Sequence, residues 1–494
     1  MTRIGIDLGT TNSGAAFHDG LSAQIIELAS GHPTMPSVVS LDAADVPIVG
    51  RRALKKAIKD PQFTFANFKR HIGKAYTDGE DYGPQVVPGT DGQRWYQGRT
   101  RLWAPEEFSA EILKALKARA EERLAAKVTG AVITVPAYFD NNRIEATRAA
   151  GKQAGFRKVD ILTEPEAAVL AYGLNRSKFS RVVVVDLGGG TFDIVLAEVG
   201  KGYFRPLAKS GNDQLGGVDW DRRIRNRLVE QFQAQHGRDL PALSQLRLEP
   251  EAENAKKELT EADQAMIDVW NVSLDPNGGG MQDVRLDLAR EEFEALTADL
   301  VTTMMAIVQR TLASVDMPPE KITDVLLVGG MTRVPAVRAA VSDYFGAARL
   351  RDSVPVDLVV AIGAAIKAAE LDGRLTDKMA IDDVAAHAFG FEDNSGRFQQ
   401  VIPKGAPFGR ISTVEVTNAQ DGQDVIPIAV LQGESPVARE NTVLARYDHR
   451  IAPCPAGEAA VELEFMLDDE GLAMVAGRDL ATGETFSILK GGKS

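Results

Sequence analysis

One pattern occurs twice in this chain, far apart: an apolar run, then Asp-Leu-Gly, a short gap and a threonine. In the first copy Ile4-Gly5-Ile6 leads into Asp7-Leu8-Gly9-Thr10-Thr11-Asn12, and the chain returns through Ala15-Ala16-Phe17. In the second, Val182 to Val185 leads into Asp186-Leu187-Gly188-Gly189-Gly190-Thr191 and returns to Val199 past Asp193. A β-branched apolar run suits a buried strand. Glycines permit a tight turn and leave backbone N–H groups bare. Each copy therefore reads as a hairpin whose tip binds phosphate oxygens and whose carboxylates hold a hydrated divalent cation. One copy alone could be a plain turn. Two copies predict two halves of a molecule closing on one phosphate chain.

Phosphoryl transfer asks for charge neutralisation and positioning more than for covalent chemistry. Asp7, Asp186 and Asp193 are candidates to hold Mg²⁺, mostly through its waters. Thr10, Thr11 and Thr191 offer hydroxyl hydrogen bonds to phosphate oxygens. Lys69, in the segment FTFANFKRHIG, is a candidate point charge for the terminal phosphate or the attacking water; on that segment alone a solvated surface lysine is the stronger reading. Glu164 supports the site from behind or is an ordinary acidic residue at a helix start. Gly329-Gly330, after the strand-like run Val325 to Val328, lets a nucleoside approach the backbone or simply turns the chain. The sequence has no GxxxxGK[ST], so it is not a P-loop enzyme, and no HExxH or CxxC.

With 494 residues, two to four domains are expected. The net charge of −13 and a pI near 5.2 argue against bulk nucleic-acid binding and against anionic membrane surfaces. Cys454 is the one cysteine, which excludes an intrachain disulfide and a cysteine metal cluster. The start MTRIGID lacks a signal-peptide pattern and no uninterrupted apolar run is long enough for a bilayer, so a cytoplasmic protein is expected. Helical patterns are read at 51–58, at 109–126 with Ser109 as N-cap, at 141–154, 164–174, 219–235 and 249–259. Further ones follow at 291–314, 335–345 and 359–371. Residues 76–101, rich in Gly and Asp, predict a small peripheral β-subdomain. After Gly373 the composition becomes that of a linker, DKMAIDD, and then strand-period alternation with turn signals at Asp421-Gly422, Asp468-Asp469-Glu470-Gly471 and Thr482-Gly483 predicts an all-β module.

Taken together, IGIDLGTTNSG, FKRHIG, ITVPAYF, TEPEAAVLAYGL, VVDLGGGTFDI, LGGVDWD, AENAKKEL, LLVGGMTRVP and AIGAA resemble the seventy-kilodalton heat-shock chaperone family of the DnaK type, over nearly the whole chain. The resemblance implies a multidomain α/β plus all-β fold: an actin-like, two-lobed ATPase domain with ribonuclease H-like halves over 1–374, a linker over 375–383, and a β-sandwich substrate-binding domain over 384–494. It implies ATP and ADP as ligands, with Mg²⁺ and K⁺. Residues matching the family's phosphate pocket are Asp7, Gly9, Thr10, Thr11, Asn12, Lys69, Glu164, Asp186, Gly188, Gly189, Gly190, Thr191, Asp193, Gly216 and Gly217. Gly329, Gly330, Arg333 and Asp357 match its nucleoside end, and Glu253, Lys256, Lys257 and Thr260 its adenosine-clasping helix. Aligned from Leu431-Gln432-Gly433-Glu434, residues Phe391, Val416, Ile426 and Ile428 fall at apolar peptide-groove positions, or in plain sandwich core.

The function implied is ATP-dependent holding and release of unfolded or extended polypeptide segments, with a nucleotide-exchange factor as a partner. The alternative is a nucleotide-dependent adaptor for one folded partner; a small-molecule kinase would leave the β-module without a role. Four departures from the family pattern stand out, and the family's divergent HscC-type bacterial members also have altered linkers. The linker reads Met379-Ala380-Ile381-Asp382-Asp383, and burying Asp382 would be costly unless it were paired. Ile144 stands where the family carries an arginine, with Arg143 one position early. Asp160, Thr163 and Glu166 replace residues of the usual contact with a J-domain co-chaperone, which puts that contact in question. No helical pattern, and so no helical lid, follows the last strand before Ser494.

Overall fold

The computed structural model describes residues 2–29, 31–57, 59–173, 179–200, 202–375, 379–468 and 471–490. Ile58, Leu174, Asp377, Lys378, Asp469 and Glu470, all within segments read above as helix ends, linker or turn, lie outside the described residues.

Two mixed sheets carry the two hairpins, and they share one plan. In the first the strands lie in the order Lys158–Thr163, Gly130–Val135, Arg3–Asp7, Asn12–His18, Ala23–Ile25. In the second the order is Leu350–Arg351, Asp324–Val328, Ser180–Leu187, Phe192–Gly200, Tyr203–Asn212, with Ala380–Ile381 added at the edge. In both, the strand before the glycine tip pairs antiparallel with the strand after it and parallel with a strand from far along the chain. Ile4, Ile6 and Val182 to Val185 are fully buried, which is why these central strands are nearly continuous apolar runs.

The halves meet through two helices, Glu164–Tyr172 and Val359–Leu371. One apolar cluster joins Val132 of the first sheet, Val184 and Leu326 of the second, and Ala168 and Ala364 of the helices. Small residues allow this approach. A Cβ on Gly363 would lie 1.7 Å from the Ala167 carbonyl oxygen, and one on Gly5 would lie 2.1 Å from the Ala365 nitrogen. The AIGAA segment is thus a contact surface between helix and helix, and between helix and strand.

Several elements differ from the sequence reading. The helix expected from Ser109 spans Pro105–Leu124, with Pro105 at its first turn. Ser109 is buried and its hydroxyl donates to the Pro105 carbonyl at 2.9 Å, so it back-bonds inside the helix instead of capping it. The small β-subdomain is present as the strands Val86–Pro88, Arg94–Gln97 and Leu102–Trp103. A two-stranded antiparallel ribbon, Gln264–Leu274 with Met281–Ala289, flanks the glycine loop at 278–280 and has no counterpart in the sequence reading.

The C-terminal portion is two four-stranded antiparallel sheets enclosing one core of Phe389, Ile426, Ile428, Val430, Val461, Leu463, Phe465 and Val475. Before it, two of the residues read as linker form a strand. Ala380–Ile381 pairs in parallel with Tyr203 and Phe204, and Met379 is buried. The acid that enters the protein is Asp383, ion-paired with Lys209, while Asp382 stays exposed and its backbone N–H donates to the Phe204 carbonyl at 2.9 Å. Exposing one acid and pairing the other avoids the cost of an unpaired buried charge.

Candidate functional site

The two glycine tips touch. A Cβ on Gly189 would fall 1.9 Å from Thr11 Oγ1, and one on Gly190 would fall 2.3 Å from Thr10 Oγ1. Only glycine fits, so the second tip's bare backbone lies against the first tip's hydroxyls. The Gly188 N–H donates to the Thr191 carbonyl at 3.1 Å and closes the second turn. The Gly188 and Gly189 carbonyls accept from the N–H groups of Gly217 and Val218 at 3.0 and 2.8 Å, which seats the Gly217–His236 helix behind the loop. Gly216 must also be glycine, since its Cβ would lie 2.5 Å from Gly190 backbone. On the first tip, Ser37 Oγ donates to the Gly9 carbonyl at 2.8 Å, and Asn12 is exposed at the start of its strand.

The structure decides against a surface role for Lys69. It is 3% exposed and its Nζ lies 2.8 Å from Glu164 Oε1. Around this pair stand three acids. Asp186 and Asp193 face each other across the second hairpin. Burial, then Glu164, pushes Asp193 up to about 7, although the Tyr138 N–H donates to its Oδ1 at 2.9 Å. Burial and Glu164 likewise raise Asp7 to about 7, against Lys69, and Thr134 Oγ1 donates to its Oδ1 at 3.5 Å. Asp186 is driven well above the ordinary carboxylate range by burial and by Glu164, Asp193 and Asp7, and its Oδ2 is a buried oxygen with no protein donor. Four acids and one lysine leave an excess of negative charge, which a divalent cation would neutralise. Among the described residues no three carboxylate, histidine or cysteine side chains gather at direct-coordination spacing. The donor set therefore fits a Mg²⁺ ion that keeps its waters and meets Asp7, Asp186 and Asp193 through them.

Four residues not singled out as part of this site by the sequence support it. Arg70 sends its Nε to the Gly190 carbonyl at 2.9 Å and pairs with Asp219, which also accepts from the Gly216 N–H at 2.8 Å. Arg143 is buried, with its guanidinium 3.6 Å from the Phe139 ring centre, 2.8 Å from Asp213 Oδ2 and 3.1 Å from the Lys69 carbonyl. It occupies, from one position early, the neighbourhood where Ile144 leaves no charge. Tyr138 holds Asp193 by its backbone.

The nucleoside-end candidates sit beside the second tip. Gly329 has φ +80°, and a Cβ there would lie 2.3 Å from the Leu187 carbonyl oxygen. Gly330 borders Asp357, whose Oδ2 is 2.6 Å from Arg333 Nη1. In the Glu249–Glu261 helix, Lys256 is turned inward: its Nζ donates to the Gly217 carbonyl at 3.1 Å and pairs with Asp221 at 2.8 Å. Lys257 and Glu253 pair with each other at 2.6 Å, and the Thr260 hydroxyl donates to the Lys256 carbonyl at 3.0 Å. The four peptide-groove candidates all lie in the sandwich core, Ile426 and Ile428 buried and Phe391 and Val416 partly so. Of the J-contact positions, Asp160 is paired with Arg3 at 3.1 Å. Glu166 points inward and accepts from the Thr163 N–H at 3.1 Å, closing a capping box.

The sandwich rests on the Pro136–Asn142 segment. Tyr138 Oη donates to Glu434 Oε2 at 3.2 Å, and the His387 ring lies 4.1 Å from the Tyr138 ring. The two His387 nitrogens are 3.0 Å from Glu434 Oε1 and 3.2 Å from the Tyr138 carbonyl. The Asn141 N–H donates to Gln432 Oε1 at 3.0 Å.

Among the described residues no helix is long and apolar enough to cross a membrane. The family described as Hsp70 protein matches residues 3–492 of this sequence. Two relatives called chaperone protein DnaK, from two strains of Thermus thermophilus, are each 39% identical over 492 residues, covering 98% of this chain and 80% of their own. Twin glycine hairpins closing on a buried lysine and its acids, a β-sandwich resting behind them, and a match that runs the length of the chain lead to one conclusion: the protein belongs to the Hsp70 family of ATP-dependent chaperones.

Proposed function

We propose that residues 1–374 form the actin-like, two-lobed ATPase domain, that 375–383 are the linker, and that 384–494 hold extended polypeptide segments. The nucleotide phosphates would lie between the two glycine tips, bound by their N–H groups and by Thr10, Thr11 and Thr191. Lys69, oriented by Glu164, would position the attacking water and offset charge on the terminal phosphate. Asp7, Asp186 and Asp193 would hold the waters of Mg²⁺, which supplies charge neutralisation when bound; K⁺ would add to it. Hydrolysis would change how the sandwich and the linker strand sit on the ATPase domain, and so how tightly a strand-like peptide is held near Phe391 and Val416. A nucleotide-exchange factor would reset the cycle.

The contact of the two tips beside the buried Lys69–Glu164 pair carries this reading. The test is the affinity of the full chain for a labelled extended peptide with ATP and with ADP. Affinity that ignores the nucleotide would remove the coupling; one stoichiometric folded protein captured in place of many unfolded chains would favour the adaptor reading.

A further inference from the structure

The linker strand is seated on a buried charge group that lies outside the ATP site. The N–H groups of Ala380 and Asp382 donate to the carbonyls of Gly202 and Phe204 at 2.8 and 2.9 Å. Just beyond, Asp383 is 9% exposed and pairs with Lys209, which is 6% exposed. Lys209 lies opposite Val195 on the strand beside the one that carries Asp193. Glu166, 4% exposed, faces the same two groups from the first turn of the Glu164–Tyr172 helix. One of its oxygens takes the Thr163 N–H, and its carboxyl also hydrogen-bonds the Asp383 carboxyl. Lys209 is thus ion-paired with one buried acid and stands in the field of a second, and a carboxyl–carboxylate hydrogen bond needs a proton between the two acids. Burial and Asp383 accordingly push Glu166 up to about 7, against Lys209.

A buried lysine left without a partner is strongly disfavoured. If the linker lifts away, Asp383 goes with it, and Glu166 is the acid left facing Lys209. If the linker returns, Asp383 takes the lysine and Glu166 becomes its hydrogen-bond donor. We propose that Lys209 is a shared seat: it pairs with Glu166 when the linker is undocked and with Asp383 when it is docked. The exchange acts on the first helical turn behind Glu164, so Glu166 and Lys209 are positioning residues through which linker docking reaches the ATP site. This rests on the reading that the linker docks and undocks during the cycle.

The seat has a signature that a plain helix cap lacks. Removing the competing acid should strengthen linker docking, because Lys209 then has no partner other than Asp383. Hydrogen exchange at the Ala380 and Asp382 amides of the full chain, in one fixed nucleotide state, reads this directly. Glu166→Gln should raise protection at both amides by about tenfold, and Asp383→Asn or Lys209→Met should lower it by at least as much, since a buried ion left without its partner is strongly disfavoured. In a Lys209→Met background Glu166→Gln should add less, since only the direct repulsion between the two acids is then relieved. The reversed pair, Lys209→Glu with Asp383→Lys, should restore protection, which separates lost charge pairing from lost folding. Across the set kcat should follow linker protection, with KM for ATP within about twofold of the parent. Unchanged or reduced protection in Glu166→Gln, or an equal effect with Lys209 absent, overturns the seat. Protection in the unmutated chain that does not differ between ATP and ADP overturns the cycle reading instead, and the variants then judge the seat at fixed nucleotide.

Discussion

Lys69 and Asp193 are the residues on which hydrolysis should depend most. In the proposed site each would act by position and charge: the lysine on the terminal phosphate or water, the acid on the cation's waters. Groups of this kind are commonly worth about 2.7–4 kcal/mol, so Lys69→Ala and Asp193→Ala should each lower kcat by roughly 10²- to 10³-fold, measured as steady-state phosphate release. Asp193 also gives a pH prediction. With no cation bound, Asp7 and Asp193 hold their protons up to about pH 7, whereas they would release them near 3.8 in an unfolded chain. The folded state therefore binds more protons between these values, and the metal-free protein loses stability as pH rises from about 4 through 7. Mg²⁺ held by these acids would displace those protons. The rise in melting temperature on adding Mg²⁺ should be larger at pH 8 than at pH 6, and apparent Mg²⁺ affinity should fall as pH drops below about 7. Equal Mg²⁺ shifts at both pH values would place the cation away from these acids.

At the level of elements, glycine positions divide into tips and joints, and each makes its own prediction. At the tips, Gly190→Ala pushes a methyl into Thr10 and should abolish nucleotide binding with the fold kept, as read by far-UV circular dichroism beside ATP titration. At the joint, Gly363→Ala drives a methyl into the backbone of the facing helix and should cost stability, about 1–3 kcal/mol as overpacking usually does, read as a lower urea midpoint. The hairpins were legible because their chemistry is local: acid, glycine and threonine lie within a few residues of each other. Arg70, Arg143 and Tyr138 were not, because their partners come from across the chain; Tyr138 and Asp193 are 55 residues apart and Arg70 and Asp219 are 149 apart. The ribbon at 264–289 was legible and missed: Ala265, Ile267 and Val269, then Val284, Leu286 and Leu288, alternate with polar or exposed residues at strand period. The linker shows the limit of composition. Met379 to Asp383 reads as a loose, charged tether, and only the sheet edge at Tyr203 and the cation at Lys209 make it a strand with one acid inside.

Across the whole molecule, the sandwich touches the segment that holds Asp193, a candidate acid of the site. Tyr138 is the junction: its N–H fixes Asp193, its carbonyl faces His387, and its hydroxyl meets Glu434. A shift of the sandwich would therefore pull on the Tyr138 amide that holds Asp193 in the proposed ATP site. His387 contributes a ring contact and two polar contacts to this junction, and it stands in the sandwich, outside the proposed phosphate site. His387→Ala should leave the Asp193 hydrogen bond in place and weaken only the docking. Coupling between two sites is typically about 1–3 kcal/mol, a factor of 5–150 in affinity, so the ratio of peptide affinities measured with ADP and with ATP should shrink toward one by such a factor. Reciprocity supplies a second reading of the same quantity. Whatever factor the substitution removes from ATP's effect on peptide binding, it must also remove from the peptide's effect on ATP binding. Fluorescence anisotropy of a labelled peptide and calorimetric titration of ATP, each with and without the other ligand, should agree on that factor. An unchanged ratio in both would mean that nucleotide state travels by the linker strand alone, and Tyr138 would then be a structural support for Asp193 and nothing more.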